Sequence, residues 1–100
     1  MQYIYQAYIG KRPISHLAFY RTIDDALESA MDVIRYECGT FESTVVCKPV
    51  EIKKSDRYPY YICKVFQVKI IEEEFDEELG SMEVYIRYKH ILIKEMTLMD

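Results

Sequence analysis

The clearest hydrophobic pattern in the chain lies between Thr22 and Cys38, where apolar residues recur every three or four positions. This spacing places one apolar stripe on one face of a helix, formed by Ile23, Ala26, Leu27, Ala30, Met31, Ile34 and Cys38. The Thr22 hydroxyl can accept from free amides of the first turn, and Gly39 can close the last turn at positive φ. The pattern predicts a helix of about seventeen residues, to within two at either end.

Five other segments carry the apolar enrichment or alternation that is typical of β-strands. Residues 2–9 are partly apolar on both faces, which suits a strand inside a sheet, and residues 14–20 return after a Gly-Lys-Arg-Pro turn. These two segments predict a hairpin. The run 41–52 contains Pro49, which cannot donate to a ladder, so this strand should lie at an edge or bend there.

The last two strand-like segments are the longest. Residues 60–71 predict a central strand with Tyr60 pointing inward, and residues 82–92 alternate between apolar and polar, which predicts one solvent-facing side. Ile91 and Ile93 break the phase of that alternation. Three interpretations remain open for the C-terminal residues: a bulge, burial on the other face, or a short terminal helix.

These elements follow the order strand, strand, helix, strand, strand, strand, or ββαβββ. They predict a single α+β domain over residues 1–100, with an antiparallel sheet of four to five strands and one helix packed on one face. Because one helix covers only part of such a sheet, a second copy or a partner protein is expected to supply the missing layer. The tyrosines expected at a homodimer interface are Tyr3, Tyr5, Tyr8, Tyr85 and Tyr88.

The formal net charge of −4 arises in one short segment. The sequence EEEFDEELGS, residues 72–81, predicts a solvated hairpin turn, and outside its six acids the chain has 13 basic and 11 acidic residues. The sharper hypothesis is a contact surface for a basic partner, imitating the phosphate spacing of DNA, with apolar anchors inside a charged rim. Its residues are Glu72, Glu73, Glu74, Phe75, Asp76, Glu77, Glu78 and Leu79.

A basic and aromatic loop, residues 53–61, supports a rival hypothesis. Lysine and arginine can contact phosphates while tyrosine rings stack on bases, which suits a nucleotide or single-stranded nucleic acid. The candidate residues are Lys53, Lys54, Arg57, Tyr58 and Tyr61. Asp56 dilutes the charge of this loop, and specific nucleic-acid binders usually carry a larger basic surface, so nucleic-acid binding is disfavoured.

The sequence lacks the patterns typical of catalytic, metal or cofactor sites. His16 and His90 lie on strand-like segments away from ligands at metal-binding spacing, and the three glycines form no phosphate-binding loop. Cys38, Cys47 and Cys63 show no C-x-x-C spacing and fit reduced, buried thiols. We therefore predict a protein that is not an enzyme and uses no cofactor.

The chain also lacks the hydrophobic runs that direct proteins to membranes. No window approaches eighteen apolar residues, and residues 1–12 do not show the basic and then apolar order of a signal peptide. The sequence therefore predicts a cytoplasmic protein with no membrane segment.

The residues Phe19 to Ala26, which read FYRTIDDA after an opening strand, resemble a pattern in small uncharacterised phage-type α+β proteins. In those proteins the helix opens on a similar order of aromatic, threonine, acidic and alanine residues. The resemblance covers about the first forty residues and implies a short, virus-encoded intracellular protein that acts by binding. Together with the acidic segment, it favours an inhibitor or adaptor that occludes a host protein; a small nucleotide or single-stranded nucleic-acid binder is the alternative.

Overall fold

The fold is taken from a computed structural model that describes residues 2–15, 18–38 and 43–98. The elements in chain order are β1 (Gln2–Ile9), β2 (Arg12–Pro13), α1 (Ile23–Cys38), β3 (Thr44–Val46), β4 (Val50–Ile52), β5 (Ile62–Asp76) and β6 (Ser81–Leu98). They form one antiparallel sheet of six strands in the order β2-β1-β6-β5-β3, with β4 also pairing with β5. The α+β class is confirmed, but the strand count is higher than predicted, and the order is ββαββββ rather than ββαβββ.

Helix α1 begins one residue after the predicted start and ends where the pattern predicted. The Thr22 Oγ1 atom accepts a hydrogen bond from the Asp25 amide at 3.1 Å, which is the predicted N-cap. Gly39, the predicted C-cap, lies outside the described residues. Among the described residues, no helix is long and apolar enough to cross a membrane.

The core lies between α1 and one face of the sheet. The buried helix residues Ala26, Ala30 and Ile34 contact strands β1, β5 and β6, whose buried members are Ala7, Phe66, Val68, Ile70, Ile91 and Ile93. The two alanines lack long side chains, so the helix can approach the sheet closely. Burying each Ile or Val side chain contributes about 1.5–3 kcal/mol, which makes this layer the main source of stability.

The strand that pairs with β1 lies earlier than predicted: β2 is Arg12–Pro13, inside the predicted turn, and none of the described residues 14, 15 and 18–20 belongs to a strand. Tyr20 rejoins β1 through an isolated bridge to Tyr5, with hydrogen bonds of 2.7 and 2.8 Å. Between these points the Gln6 side-chain amide donates to the Ser15 carbonyl oxygen at 3.1 Å. The Ser15 carbonyl oxygen thus accepts from a side-chain amide, whereas a continuous ladder would use backbone amides as donors.

Pro49 divides the third predicted strand in two. Strands β3 and β4 pair with successive parts of β5 on the same edge of the sheet, and Pro49 lies in the gap between them. The prediction of an edge strand interrupted by Pro49 is confirmed, because a residue without an N–H cannot continue the ladder.

A bulge near the start of β5 changes which side chains face the helix. The register shifts between Ile62 and Lys64, so Ile62 points to the face opposite to that of Phe66. Tyr60 lies before the strand and is 93% exposed, so the prediction that it points inward is wrong.

Strand β6 settles the open interpretation of the C-terminal residues. It continues to Leu98, which excludes a terminal helix over its length, and the register shift of the hairpin lies on β5 instead. Ile91 and Ile93 are fully buried on the helix side, so burial on the other face explains the break in phase.

Most of the acidic segment predicted as a turn is strand. Pairing continues to Asp76 and Ser81, which leaves residues 77–80 as the turn. The Asp76 Oδ1 atom accepts from the Glu78 and Leu79 amides at 2.9 and 3.2 Å, and Gly80 closes the turn at a φ of +63°. The β5–β6 hairpin is therefore long, and it accounts for the elongated shape of 63 × 26 × 18 Å.

Candidate functional site

The outer part of the β5–β6 hairpin, residues 71–88, is the candidate functional site and is called the distal hairpin below. Its strands are fully paired, so successive side chains point to opposite faces. The helix-side face is identified by Arg87, which donates to the Cys38 Sγ atom of α1 at 3.4 Å. The distal hairpin therefore has one face on the side of the sheet where α1 packs and one face on the opposite side.

The helix-side face is acidic. It carries Glu72, Glu74 and Asp76 from β5, and Glu74 lies directly opposite Glu83 of β6. Arg87 neutralises Glu72 through an ion pair of 2.9 Å, while no described basic side chain pairs with Glu73, Glu74, Glu77 or Glu78. The unpaired charges can therefore act on a partner at long range.

Tyr85 belongs to the same acidic face. Its hydroxyl donates to the Glu83 carboxylate, and this hydrogen bond, followed by the negative charge of Glu83, raises the pKa of Tyr85. The hydrogen bond to Glu83 therefore favours the protonated phenol of Tyr85.

The opposite face of the distal hairpin is apolar and uncovered. Five of its side chains are between 51% and 57% exposed: Phe75, Met82, Val84, Ile86 and Tyr88. Val45 and Val50 from the edge strands extend the same face. A contiguous apolar surface with a polar rim is typical of an interaction site.

The alternation in residues 82–88 predicts one solvent-facing side, but in the structure the apolar side of this segment is exposed as well. The lengths of α1 and β6 explain this exposure. A helix of 16 residues spans about 24 Å, whereas a strand of 18 residues spans about 60 Å, so one helix covers less than half of β6. The apolar stripe is longer than the layer available to cover it.

The predicted partner-binding residues gather at one end of the molecule but do not form one surface. Glu73 and Phe75 lie on the apolar face, whereas Glu72, Glu74 and Asp76 lie on the acidic face. The remaining three, all exposed, lie in the turn: Glu77, Glu78 and Leu79.

The predicted basic loop is only partly assembled as a site. Arg57, Tyr58 and Tyr61 line one cavity on the sheet face opposite to α1. The Lys54 Nζ atom instead donates to the Ile62 carbonyl oxygen at 2.7 Å, and Lys53 does not line the cavity.

The tyrosines predicted for a homodimer interface lie on different faces. Tyr3, Tyr5 and Tyr85 point to the helix side, and Tyr8 and Tyr88 point away from it. The proposed set therefore does not form a single surface, and the homodimer itself stays a prediction.

The thiols and the described histidine form no metal-binding arrangement. Within residues 2–15, 18–38 and 43–98, no group of three or more histidine, cysteine and acidic residues could hold a metal ion. Cys38, Cys47 and Cys63 are free, and His16 lies outside the described residues. Burial, followed by the charge of Glu95, raises the pKa of the Cys63 thiol.

Comparison of this chain with models of protein families, with curated proteins and with solved structures found no significant match.

Proposed function

We propose that this protein is a non-enzymatic binding module, an inhibitor or adaptor, whose distal hairpin contacts a partner protein. The observation that carries the proposal is the uncovered apolar row of Phe75, Met82, Val84, Ile86 and Tyr88 on a hairpin with unpaired acids. Contact between exposed apolar side chains and water is unfavourable, so burial of this row against another surface lowers the free energy.

The size of the apolar row suits a protein partner. Seven half-exposed side chains, the five of the distal hairpin with Val45 and Val50, leave on the order of 700 Å² to be buried. A typical specific interface buries about 800 Å² on each partner. The apolar contact would contribute roughly 15 kcal/mol before the costs of association and side-chain ordering, which offset much of it.

The acids of the distal hairpin would act mainly on the rate of association. Glu73 lies within the apolar row, while Glu77 and Glu78 lie at its outer end, so the row has an acidic rim. Complementary charge steers encounters between proteins more than it raises final affinity. The partner is therefore expected to present an apolar surface with a basic rim.

Affinity capture from lysate, with and without nuclease treatment, tests the proposal. The wild-type chain should capture a protein, and the double variant Val84→Ser/Ile86→Ser should lose it because the centre of the row becomes polar. Tyr36→Ser is the matched control, since Tyr36 is 84% exposed on α1 and lies outside the distal hairpin. Capture that requires nucleic acid, or that survives in the double variant, contradicts the proposal.

Kinetics with the captured partner separate the role of the acids from that of the apolar anchor Phe75. Replacing Glu73, Glu74, Glu77 and Glu78 by Gln should slow association at low salt, whereas Phe75→Ala should speed dissociation. Added salt should remove most of the first effect, because exposed charges are screened beyond about 8 Å at physiological ionic strength. Equal association rates for the quadruple variant and the parent at low salt would limit the acids to a role in solubility.

A further inference from the structure

A second surface feature lies away from the distal hairpin, where the loop of residues 53–61 folds over the sheet face opposite to α1. Between this loop and strands β1 and β6 is an open cavity of about 500 Å³. Its lining includes the aliphatic residues Ile62 and Leu92 and three tyrosines, Tyr8, Tyr58 and Tyr61. The volume is within the range of about 300–1,000 Å³ that is common for small-molecule sites.

The walls of the cavity are held in place by contacts that need no ligand. The Gly10 amide donates to the His90 carbonyl oxygen at 3.0 Å, which fixes the turn that carries Lys11. On the loop side, the Glu95 amide donates to the Tyr61 carbonyl oxygen at 2.9 Å, and the Lys94 ammonium lies 5.0 Å from the centre of the Tyr61 ring. A preformed site avoids part of the ordering cost of binding.

The charge around the cavity has one sign. Lys11 and Arg57 line it together with His90, and among the described residues no acidic side chain does. Neither Lys11 nor Arg57 takes part in an ion pair within the described ranges. A guanidinium group presents a planar set of donors that matches a carboxylate or phosphate, so the rim of this cavity favours an anion.

We propose that this cavity binds a small aromatic anion, in which a planar ring carries a phosphate or a carboxylate. The ring packs against Tyr58 and Tyr61, while the anionic group meets Arg57 and Lys11. A nucleoside monophosphate has both parts and a suitable size. This site is independent of the proposed protein-binding surface, because it shares no residue with the distal hairpin.

A small ligand fits the arrangement better than a single strand of nucleic acid does. A strand needs a row of cations that follows successive phosphates. Here the Lys54 ammonium is engaged by the Ile62 carbonyl oxygen, and Lys53 does not reach the cavity. The loop therefore presents one pocket with a local charge rather than an extended basic track.

Titration of the full chain with adenosine monophosphate and, separately, with benzoate tests the proposal through backbone amide chemical shifts. At least one probe should bind saturably, with shifts centred on residues 8–11, 57–62 and 90–92. Adenosine and inorganic phosphate are the controls that offer only the ring or only the anion, and each should bind more weakly than the nucleotide if the nucleotide is bound.

Two variants assign the roles within the site. Arg57→Gln should weaken binding about tenfold or more, because a charge-assisted contact to the anion is lost. Tyr58→Leu should weaken binding by about fivefold through loss of stacking. Lys53→Gln is the matched control, since it removes one positive charge from the same loop without altering the lining of the cavity.

Three results would overturn the proposal. The first is no saturable shift with either probe at millimolar concentration. The second is an equal loss of affinity in Arg57→Gln and Lys53→Gln, which would indicate a diffuse attraction to the loop. The third is binding of a thymidine oligonucleotide far more tightly than either small probe with a steep salt dependence, which would assign the loop to nucleic acid instead.

Discussion

Two glutamates on the same face of β5 should respond in opposite directions to the same substitution. Glu74 lies directly across from Glu83, whereas Glu72, two residues earlier, forms an ion pair of 2.9 Å with Arg87. Changing either residue to Gln removes one negative charge and keeps nearly the same side-chain volume. Glu74→Gln should stabilise the hairpin, and Glu72→Gln should destabilise it.

The expected magnitudes are small but measurable. Carboxylates on directly opposed residues about 6 Å apart repel by about 0.7 kcal/mol in a water-like dielectric, so Glu74→Gln should raise the free energy of unfolding by roughly 0.5 kcal/mol. The Glu72–Arg87 pair is half exposed, and such pairs contribute about 0.2–1 kcal/mol. The two variants should therefore differ from each other by about 1 kcal/mol.

Urea unfolding followed by circular dichroism measures this difference. The comparison should be made at about 0.01 M salt, where the Debye length is about 30 Å, and at about 1 M salt, where it is about 3 Å. If the distal hairpin opens before the rest of the sheet, amide hydrogen exchange at Val84 reports the same change locally. Both effects should shrink at high salt, since both arise between exposed charges.

A Glu74→Gln variant that is no more stable than the parent at low salt would contradict this prediction. A stability difference between the two variants that does not change with salt would contradict it too. Either result would mean that packing or hydrogen bonding, rather than the opposed charges, sets the stability of this face.

Four further predictions concern the core, the helix cap, one thiol and assembly. Ile34→Ala should lower the free energy of unfolding by about 2–5 kcal/mol in urea titrations, because Ile34 is fully buried against the sheet. Thr22→Ala should cost about 1 kcal/mol in the same assay through loss of the hydrogen bond to the Asp25 amide. Because burial and then Glu95 raise the pKa of Cys63, Glu95→Gln should lower that pKa and speed alkylation of Cys63 near pH 8, as mass spectrometry can measure. Because the pKa of Cys63 is raised in the folded state, its thiol ionises at lower pH in the unfolded chain than in the folded one. The contribution of Cys63 to the free energy of unfolding should therefore fall as the pH rises through the alkaline range. Light scattering at micromolar concentration should give twice the chain mass of 12.0 kDa if the homodimer forms, and a strict monomer would exclude it.

The local features of the fold could be predicted because short-range interactions determine them. The helix follows from apolar spacing over a few turns, and its start follows from Thr22, whose cap contact spans three residues. Pro49 interrupts the edge strand because its own backbone nitrogen has no hydrogen to donate to the ladder. The positions of β1, β5 and β6 also follow from composition and alternation within each segment.

The boundaries of pairing depended on contacts between distant residues. The acidic residues from Glu72 to Asp76 read as a turn by composition, yet each has a partner on β6 that extends the ladder. Conversely, residues 14–20 read as a strand, but none of the described residues among them lies in one, and the Ser15 carbonyl oxygen accepts a hydrogen bond from the Gln6 side chain. Neither outcome has a signal within the segment itself.

Tertiary structure alone decided which face of each strand is covered and which residues meet at the cavity. Alternation in β6 shows that its two faces differ, but the helix covers the face of Ile91 and Ile93 and leaves the row through Val84 and Ile86 exposed. The exposure depends on the register of the hairpin and on a helix of about 24 Å packed on a longer sheet. The cavity likewise joins residues 8–11, 57–62 and 90–92, which only the strand order β1-β6-β5 brings together. Local conformational propensities act over a few residues. Which sheet face the helix covers, and which residues meet at the cavity, depend instead on pairing between segments far apart in the chain.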